Sequence, residues 1–327
     1  MGLKKSVRRF FRDLPDRITK LRHREHAAFY RDRYIRYYYA GRFTQYRSFF
    51  QDRVLRQPYL SIDYDGEFGT ELKFVIPFAY WHHCNGTLIK TSSSKHTRPF
   101  YFFSPEHEEK YESRTWRPYF RNIPNSEDHN IKYNLHRWKR VPFKSVYQNS
   151  FIRFNKPMLI VANKYNSEWG GPPVNFLGLN VLRSVFSKLS ARYQIIYNRP
   201  GADSIANDES KILELGDWEL LKNEFPEVLD MASLYEDWRG WPRIENYNEF
   251  QLMVYANCER FLSVHGGSSV LASYFGGVNI IYSVKGFEHY FGEFEWFYPQ
   301  LSGAKVLHAR TEAEVVDLVE QEFLTAG

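Results

Sequence analysis

Apolar residues along this chain come either as short continuous runs or as helical stripes. Pro157-Met-Leu-Ile-Val-Ala162, Tyr193-Gln-Ile-Ile-Tyr197, Phe261-Leu-Ser-Val264 and Val278-Asn-Ile-Ile-Tyr282 have the character of buried strands. Between the first two, residues 177–189 carry apolar positions at helical spacing. A second helix opens at Tyr247-Asn-Glu-Phe250 and leads into the Phe261 strand. Such alternation predicts a parallel sheet flanked by helices. Further upstream, Tyr59-Leu-Ser-Ile-Asp63 reads as a strand. A helical run follows through Phe74, Val75, Phe78, Ala79, Tyr80 and Trp81 to Gly86. Leu88-Ile89 and Phe100-Tyr-Phe-Phe103 are expected as strands separated by the polar stretch 91–97. Residues 104–149 are expected as loops and short elements. Thr311-Glu-Ala-Glu314 has the form of a capping box ahead of a last helix through Val315, Val316, Leu318, Val319 and Phe323.

Two of these strand-to-helix turns carry candidate chemistry. After the Phe261 strand comes His265-Gly266-Gly267-Ser268-Ser269, then an apolar helix, then Gly276-Gly277 and the next strand. A helix starting there presents unpaired backbone N–H groups to an anion, and its dipole favours a phosphate or diphosphate. The glycines let the anion approach, and both serine hydroxyls can donate. The other turn, Asp65-Gly66-Glu67-Phe68-Gly69-Thr70-Glu71, has the same rhythm but three carboxylates, which repel phosphate. It suits a sugar hydroxyl or a general base. Lys164 and Arg199 each lie just past a predicted strand. Ligands of open parallel sheets bind beyond the carboxyl ends of the strands, so both cations join the His265 turn in one crevice if their strands are neighbours.

The His-Gly-Gly-Ser-Ser turn with its Ala-containing helix and Gly-Gly-Val resembles the donor-diphosphate loop of GT-B glycosyltransferases. The acidic turn is similar to the Gly-Glu-x-Gly-x-Glu-Leu loop in the N-terminal domain of some bacterial glycosyltransferases, with Thr70 where an aromatic is often found. The resemblance implies an α/β fold of two Rossmann-like domains facing across a cleft. Residues 58–156 would form the acceptor domain, and residues 157–310 the nucleotide-sugar domain. Residues 311–327 would form a C-terminal helix that can cross back to the first domain. His265, Gly266, Gly267, Ser268, Ser269, Lys164 and Arg199 would hold the donor diphosphate. Glu67 or Glu71 would be the base, with Asp65 third. Asp63-Tyr64-Asp65 is formally an Asp-x-Asp, but it closes the first strand of the body and is read as strand-end acids, so no metal and no cofactor are expected.

Charge separates a third region. Residues 1–57 hold 16 Lys/Arg against 5 Asp/Glu, a balance of +11, whereas the rest holds 28 against 33. Val7, Phe10, Phe11, Leu14, Ile18 and Leu21 form an apolar stripe among Lys4, Lys5, Arg8, Arg9, Arg12 and Lys20. A basic amphipathic helix of this kind suits an anionic membrane surface through residues 1–22. A helix packed on the protein with a solvated basic face is the other reading. The mildly acidic body argues against nucleic acid as a partner. No apolar run is long enough to span a bilayer, no secretory h-region follows the basic start, and Cys84 and Cys258 stand far apart, so a reducing cytoplasmic compartment is expected.

The reading that accommodates these features is a metal-independent, inverting transfer of a sugar from a nucleotide-diphosphate sugar to a glycan or lipid-linked acceptor. A nucleotide-sugar epimerase, or another transferase of the same architecture, is the alternative within the fold. A non-enzymatic protein binding nucleic acid or anionic glycan through the basic arm is the alternative from another class.

Overall fold

The four apolar runs predicted as strands do pair with one another, because runs buried on both faces satisfy their backbone only inside a sheet covered by helices. The computed structural model describes residues 43, 46, 47, 49–55, 61–115, 123–125, 133, 135–201, 211–242 and 244–325. Two parallel sheets are present. The first joins β1 (Ser61–Asp63), β2 (Lys90–Ser94) and β3 (His107–Tyr111) in the order β1-β2-β3. The second joins β4 (Met158–Ala162), β5 (Gln194–Asn198), β6 (Leu229–Asp230), β7 (Arg260–Val264), β8 (Val278–Tyr282) and β9 (Lys305–Ala309). Its order is β6-β5-β4-β7-β8-β9, and every pair is parallel. This is the doubly wound 3-2-1-4-5-6 order, whose direction reverses between β4 and β7.

The second sheet is the better insulated. Leu159, Val161, Ile195, Leu262, Val264 and Ile280 are buried, covered by Val181, Leu182, Val185, Phe186 and Leu189 of the Leu179–Leu189 helix. The last helix, Glu312–Val319, is capped by the Thr311 hydroxyl as its capping box predicts. Its Val315 and Val319, with Phe323 beyond, enter this same core, and the Tyr193 hydroxyl donates to the Phe323 carbonyl. The C-terminal helix therefore packs on the second sheet, where its apolar stripe finds aliphatic partners.

The first sheet differs from expectation. Its middle strand is the polar stretch Lys90–Ser94, not the aromatic Phe100 run, which forms a 3-10 turn, Arg98–Tyr101. Thr91, Ser92, Ser93 and Ser94 are all buried. Neighbours take two of its hydroxyls: Thr91 donates to Ser104 and lies 2.8 Å from His107 Nδ1, and Ser93 donates to Glu71, whereas the Ser94 hydroxyl finds no partner among the described residues. Burial holds His107 at about 4, so the ring is neutral at pH 7, with Thr91 and Thr97 at its two nitrogens. β3, with exposed Glu108, Glu109 and Lys110, falls in the stretch expected as loops and short elements; charges on an edge strand guard it against further pairing.

Chain contacts group Tyr59–Arg117 with Leu135–Gly327, so both sheets belong to one body. Met1–Pro58 and Pro118–Asn134 form the other body. In that body Phe50–Val54 is a wide helical turn, and Phe43, Tyr46, Phe49, Phe50, Val54 and Leu55 are exposed. The stripe through residues 7–21 lies outside the described residues. Among the described residues no helix is long and apolar enough to cross a membrane.

Candidate active site

The reversal point of the second sheet is where its chemistry gathers. β7 ends at Val264, and His265 begins the turn into the short Gly267–Ala272 helix. Gly266 has φ +117°, a left-handed conformation that disfavours any side chain. Its carbonyl accepts from the Ser269 and Val270 N–H groups and from the Ser269 hydroxyl, while the Ser268 hydroxyl donates to Val264 O. Both hydroxyls are thus turned to the backbone. The first N–H groups of a helix have no partner within it, which leaves those of Gly267 and Ser268 for a ligand.

Lys164, one strand over at the end of β4, reaches the turn: a Cβ on Gly266 would lie 3.4 Å from its Nζ. The ammonium also pairs with Glu168 at 2.8 Å. Arg199 does not converge. It follows β5, a strand further out, and its Nε lies 2.6 Å from Asp217 Oδ2, with the guanidinium 5.3 Å from the Trp218 ring. Tyr197 donates to the same Asp217 oxygen at 2.6 Å. Arg199 is buried structure, and its place past a strand end could not reveal this.

The His265 ring points into the protein. Nδ1 lies 2.9 Å from the Lys285 carbonyl and Nε2 lies 2.8 Å from Glu288. Gly286 lies against the ring so closely that a Cβ there would overlap it. Asn175, fully buried, ties the loops together. Its Nδ2 donates to Glu168 (2.8 Å) and to Lys285 O (2.9 Å), and its Oδ1 accepts from the Val284 and Lys285 N–H groups. Neither Asn175 nor Glu288 stood out in the sequence, since neither lies in a glycine turn.

The acidic turn of the first sheet meets the glycine turn of the second. Phe68 lies over Gly267, where a Cβ would be 2.9 Å from its ring, and Gly69 lies beside the Gly267 N–H. Phe68 is held from behind by Phe100 at 5.2 Å and by the Arg114 guanidinium at 5.0 Å. The three carboxylates are placed very differently. Glu71 is fully buried and accepts from the hydroxyls of Ser93 and Tyr101, the latter at 2.7 Å. Its other oxygen forms an ion pair with Arg114 Nη1 at 2.7 Å, and the same nitrogen donates to Gly66 O (2.8 Å). Burial and the Glu71 charge push the Tyr101 hydroxyl well above its ordinary value, which keeps it a donor. Asp65 is buried, and its carbonyl accepts from Thr115. Glu67 is exposed, one residue before Phe68.

A buried ion cluster joins the two halves behind the turns. Lys73, on the helix that follows the acidic loop, pairs with Glu288 at 3.1 Å and with Glu293 at 3.2 Å. Glu288 thereby links Lys73 to His265. Among the described residues no group of three or more His, Cys, Asp or Glu side chains is placed to hold a metal ion.

No protein-family model matches the sequence, and no curated protein matches it. Solved structures do. The ADP-heptose lipopolysaccharide heptosyltransferase II of E. coli is 11% identical, with a TM-score of 0.50, and the match covers 81% of this chain and 98% of that one. The iron-containing dodecameric glycosyltransferase TibC of enterotoxigenic E. coli is 13% identical over 77% of this chain and 62% of its own, with a TM-score of 0.41. TibC in complex with ADP-D-beta-D-heptose gives 13% identity, the same coverage and a TM-score of 0.42. With its two parallel sheets and the reversal point beside the glycine turn, the chain has the fold of GT-B glycosyltransferases.

Proposed function

We propose that this protein is a glycosyltransferase that moves a sugar from a nucleotide-diphosphate sugar to a glycan or lipid-linked acceptor. The observation that carries the reading is the contact of the two glycine turns at the reversal point, with Lys164 beside one and the exposed residue Glu67 in the other. The Gly267 and Ser268 N–H groups and the Lys164 ammonium would receive the departing diphosphate. Glu67 would take the proton of the acceptor hydroxyl as that oxygen attacks the anomeric carbon. Preorganised donors at the point where charge develops are the largest single source of such catalysis. Glu71 serves in this reading as a positioning residue: with Arg114 it fixes Gly66 and Phe68.

A thermal-shift screen against ADP-, UDP-, GDP- and CDP-sugars and CMP-sugars tests the assignment. ADP-sugars belong in it because one structure of similar fold is an ADP-heptose transferase. A ligand at 100 times its dissociation constant should add about 2.7 kcal/mol of stability. No stabilisation by any of these donors would overturn the reading.

The diphosphate assignment has its own test. Gly267→Ala is expected to weaken nucleotide binding by at least about tenfold, or 1.4 kcal/mol. Because the new methyl also meets Phe68, the substitution is repeated in a Phe68→Ala background. Persistence of the loss there points to a blocked anion site; recovery of full affinity would mean that Gly267 serves packing alone.

We further propose that the basic arm rests on an anionic membrane surface, which would bring lipid-linked acceptors within reach from the cytoplasmic side. The +11 balance and the exposed aromatic residues 43–50 support this, at about 1 kcal/mol per cation near the surface. Liposomes containing phosphatidylserine should float the intact chain at low salt and lose it when residues 1–22 are removed. Equal flotation of both forms would refute it.

A further inference from the structure

Trp169 stands apart from the other tryptophans near the site. It is 58% exposed and adopts φ +50°, a conformation that bulky residues rarely take outside functional sites. The loop that carries it is nevertheless firmly built. At its base, Asn163 exchanges hydrogen bonds with the Leu177 N–H and carbonyl at 2.9 and 3.1 Å. Halfway along, Glu168 is held by Lys164 and Asn175. At the tip, Glu168 and Gly171 pair back to back, which leaves Trp169 and Gly170 as the two residues of the turn. The indole lies 6.4 Å from the His265 ring, and Lys285 Nζ stands 5.3 Å from its centroid. An apolar ring has thus been fixed at the rim of the anion turn, when burial would have been the cheaper fate for so much apolar surface.

We propose that Trp169 is the stacking platform for the nucleobase of the donor, with Lys285 on the ring as its electrostatic backing. This rests on the functional reading above. A diphosphate on the Gly267 and Ser268 N–H groups leaves the nucleoside to extend along the crevice rim, and an exposed indole offers a π-face to any base. Stacking of this kind tolerates every base, so Trp169 would set affinity for the nucleotide and leave the choice of base to other contacts.

Titration of ADP, UDP, GDP and CDP, with inorganic diphosphate alongside, tests this on the full chain. Trp169→Ala is expected to weaken the tightest of the four about 5- to 150-fold, the range equivalent to one stacked base, while inorganic diphosphate binds unchanged. Trp169→Phe should restore most of the loss. Since the side chain is exposed, both variants should keep the wild-type unfolding midpoint. An equal loss for inorganic diphosphate would make the indole a prop for the turn and overturn the proposal. So would an unchanged nucleotide affinity. Should the wild-type chain bind inorganic diphosphate but none of the four nucleotides, the donor reading fails and this proposal falls with it. A wild-type chain that binds nucleotides indifferently to Trp169 refutes the platform alone.

Discussion

Glu67→Gln is expected to lower sugar transfer about 100- to 10,000-fold, the usual contribution of a positioned base, while nucleotide affinity stays unchanged. Glu71→Gln should behave differently, although the two carboxylates stand only four residues apart. Glu71 is enclosed by Ser93, Tyr101 and Arg114. Neutralising it leaves the buried guanidinium of Arg114 without its counter-charge, at a cost of about 3–5 kcal/mol of stability. Turnover per folded molecule should fall far less than in the Glu67 variant. Kinetics at saturating donor, paired with urea unfolding, separates the two effects. Near-normal turnover in Glu67→Gln would remove the assignment and move the base to Asp65. A turnover loss without destabilisation in Glu71→Gln would show that Glu71 reaches the acceptor after all.

Lys73→Met is the second substitution with a large expected effect. Its ammonium lies between two buried carboxylates, Glu288 and Glu293, and one of these also holds His265. Removing the cation takes this counter-charge from two buried carboxylates, and about 3–5 kcal/mol is the usual penalty for breaking a buried ion pair. The double variant Lys73→Met/Glu293→Gln should recover part of that loss, because it removes a stranded charge along with its partner. Because the cluster supports the His265 ring from one side, nucleotide affinity should fall with stability in Lys73→Met. A change in the urea midpoint equivalent to less than about 1 kcal/mol would show that other groups carry the charge balance, as only an uncompensated buried charge is expensive.

The difference between the two sheets explains how far the sequence could be read. All four strands predicted in the second sheet are present within a residue or two, because each is a dry aliphatic run and periodicity reports burial directly. β2 was missed for the opposite reason. In its Thr-Ser-Ser-Ser run the Thr91 and Ser93 hydroxyls are met by Ser104, His107 and Glu71, and all three partners lie more than a dozen residues away. β3 is one of the short elements expected in 104–149, and its place as a strand was hidden because its outward residues carry charge. In both cases a tertiary partner overrode the local pattern.

The site divides along the same line. By itself the sequence determined that a glycine-hydroxyl turn follows an apolar strand, and that a second, acidic turn follows another. Both are local facts, set by residues that must be contiguous to form a turn. Only the tertiary structure decided which cation comes to the glycine turn and which carboxylate is enclosed. Lys164 and Arg199 look alike in sequence, each just past a strand, yet β4 lies beside β7 and β5 does not. Asp217 then captures Arg199, and Arg114 captures Glu71. Strand order and burial arise from contacts between residues far apart in the chain, and they decide whether a charge lies beside the glycine turn or is enclosed within the fold.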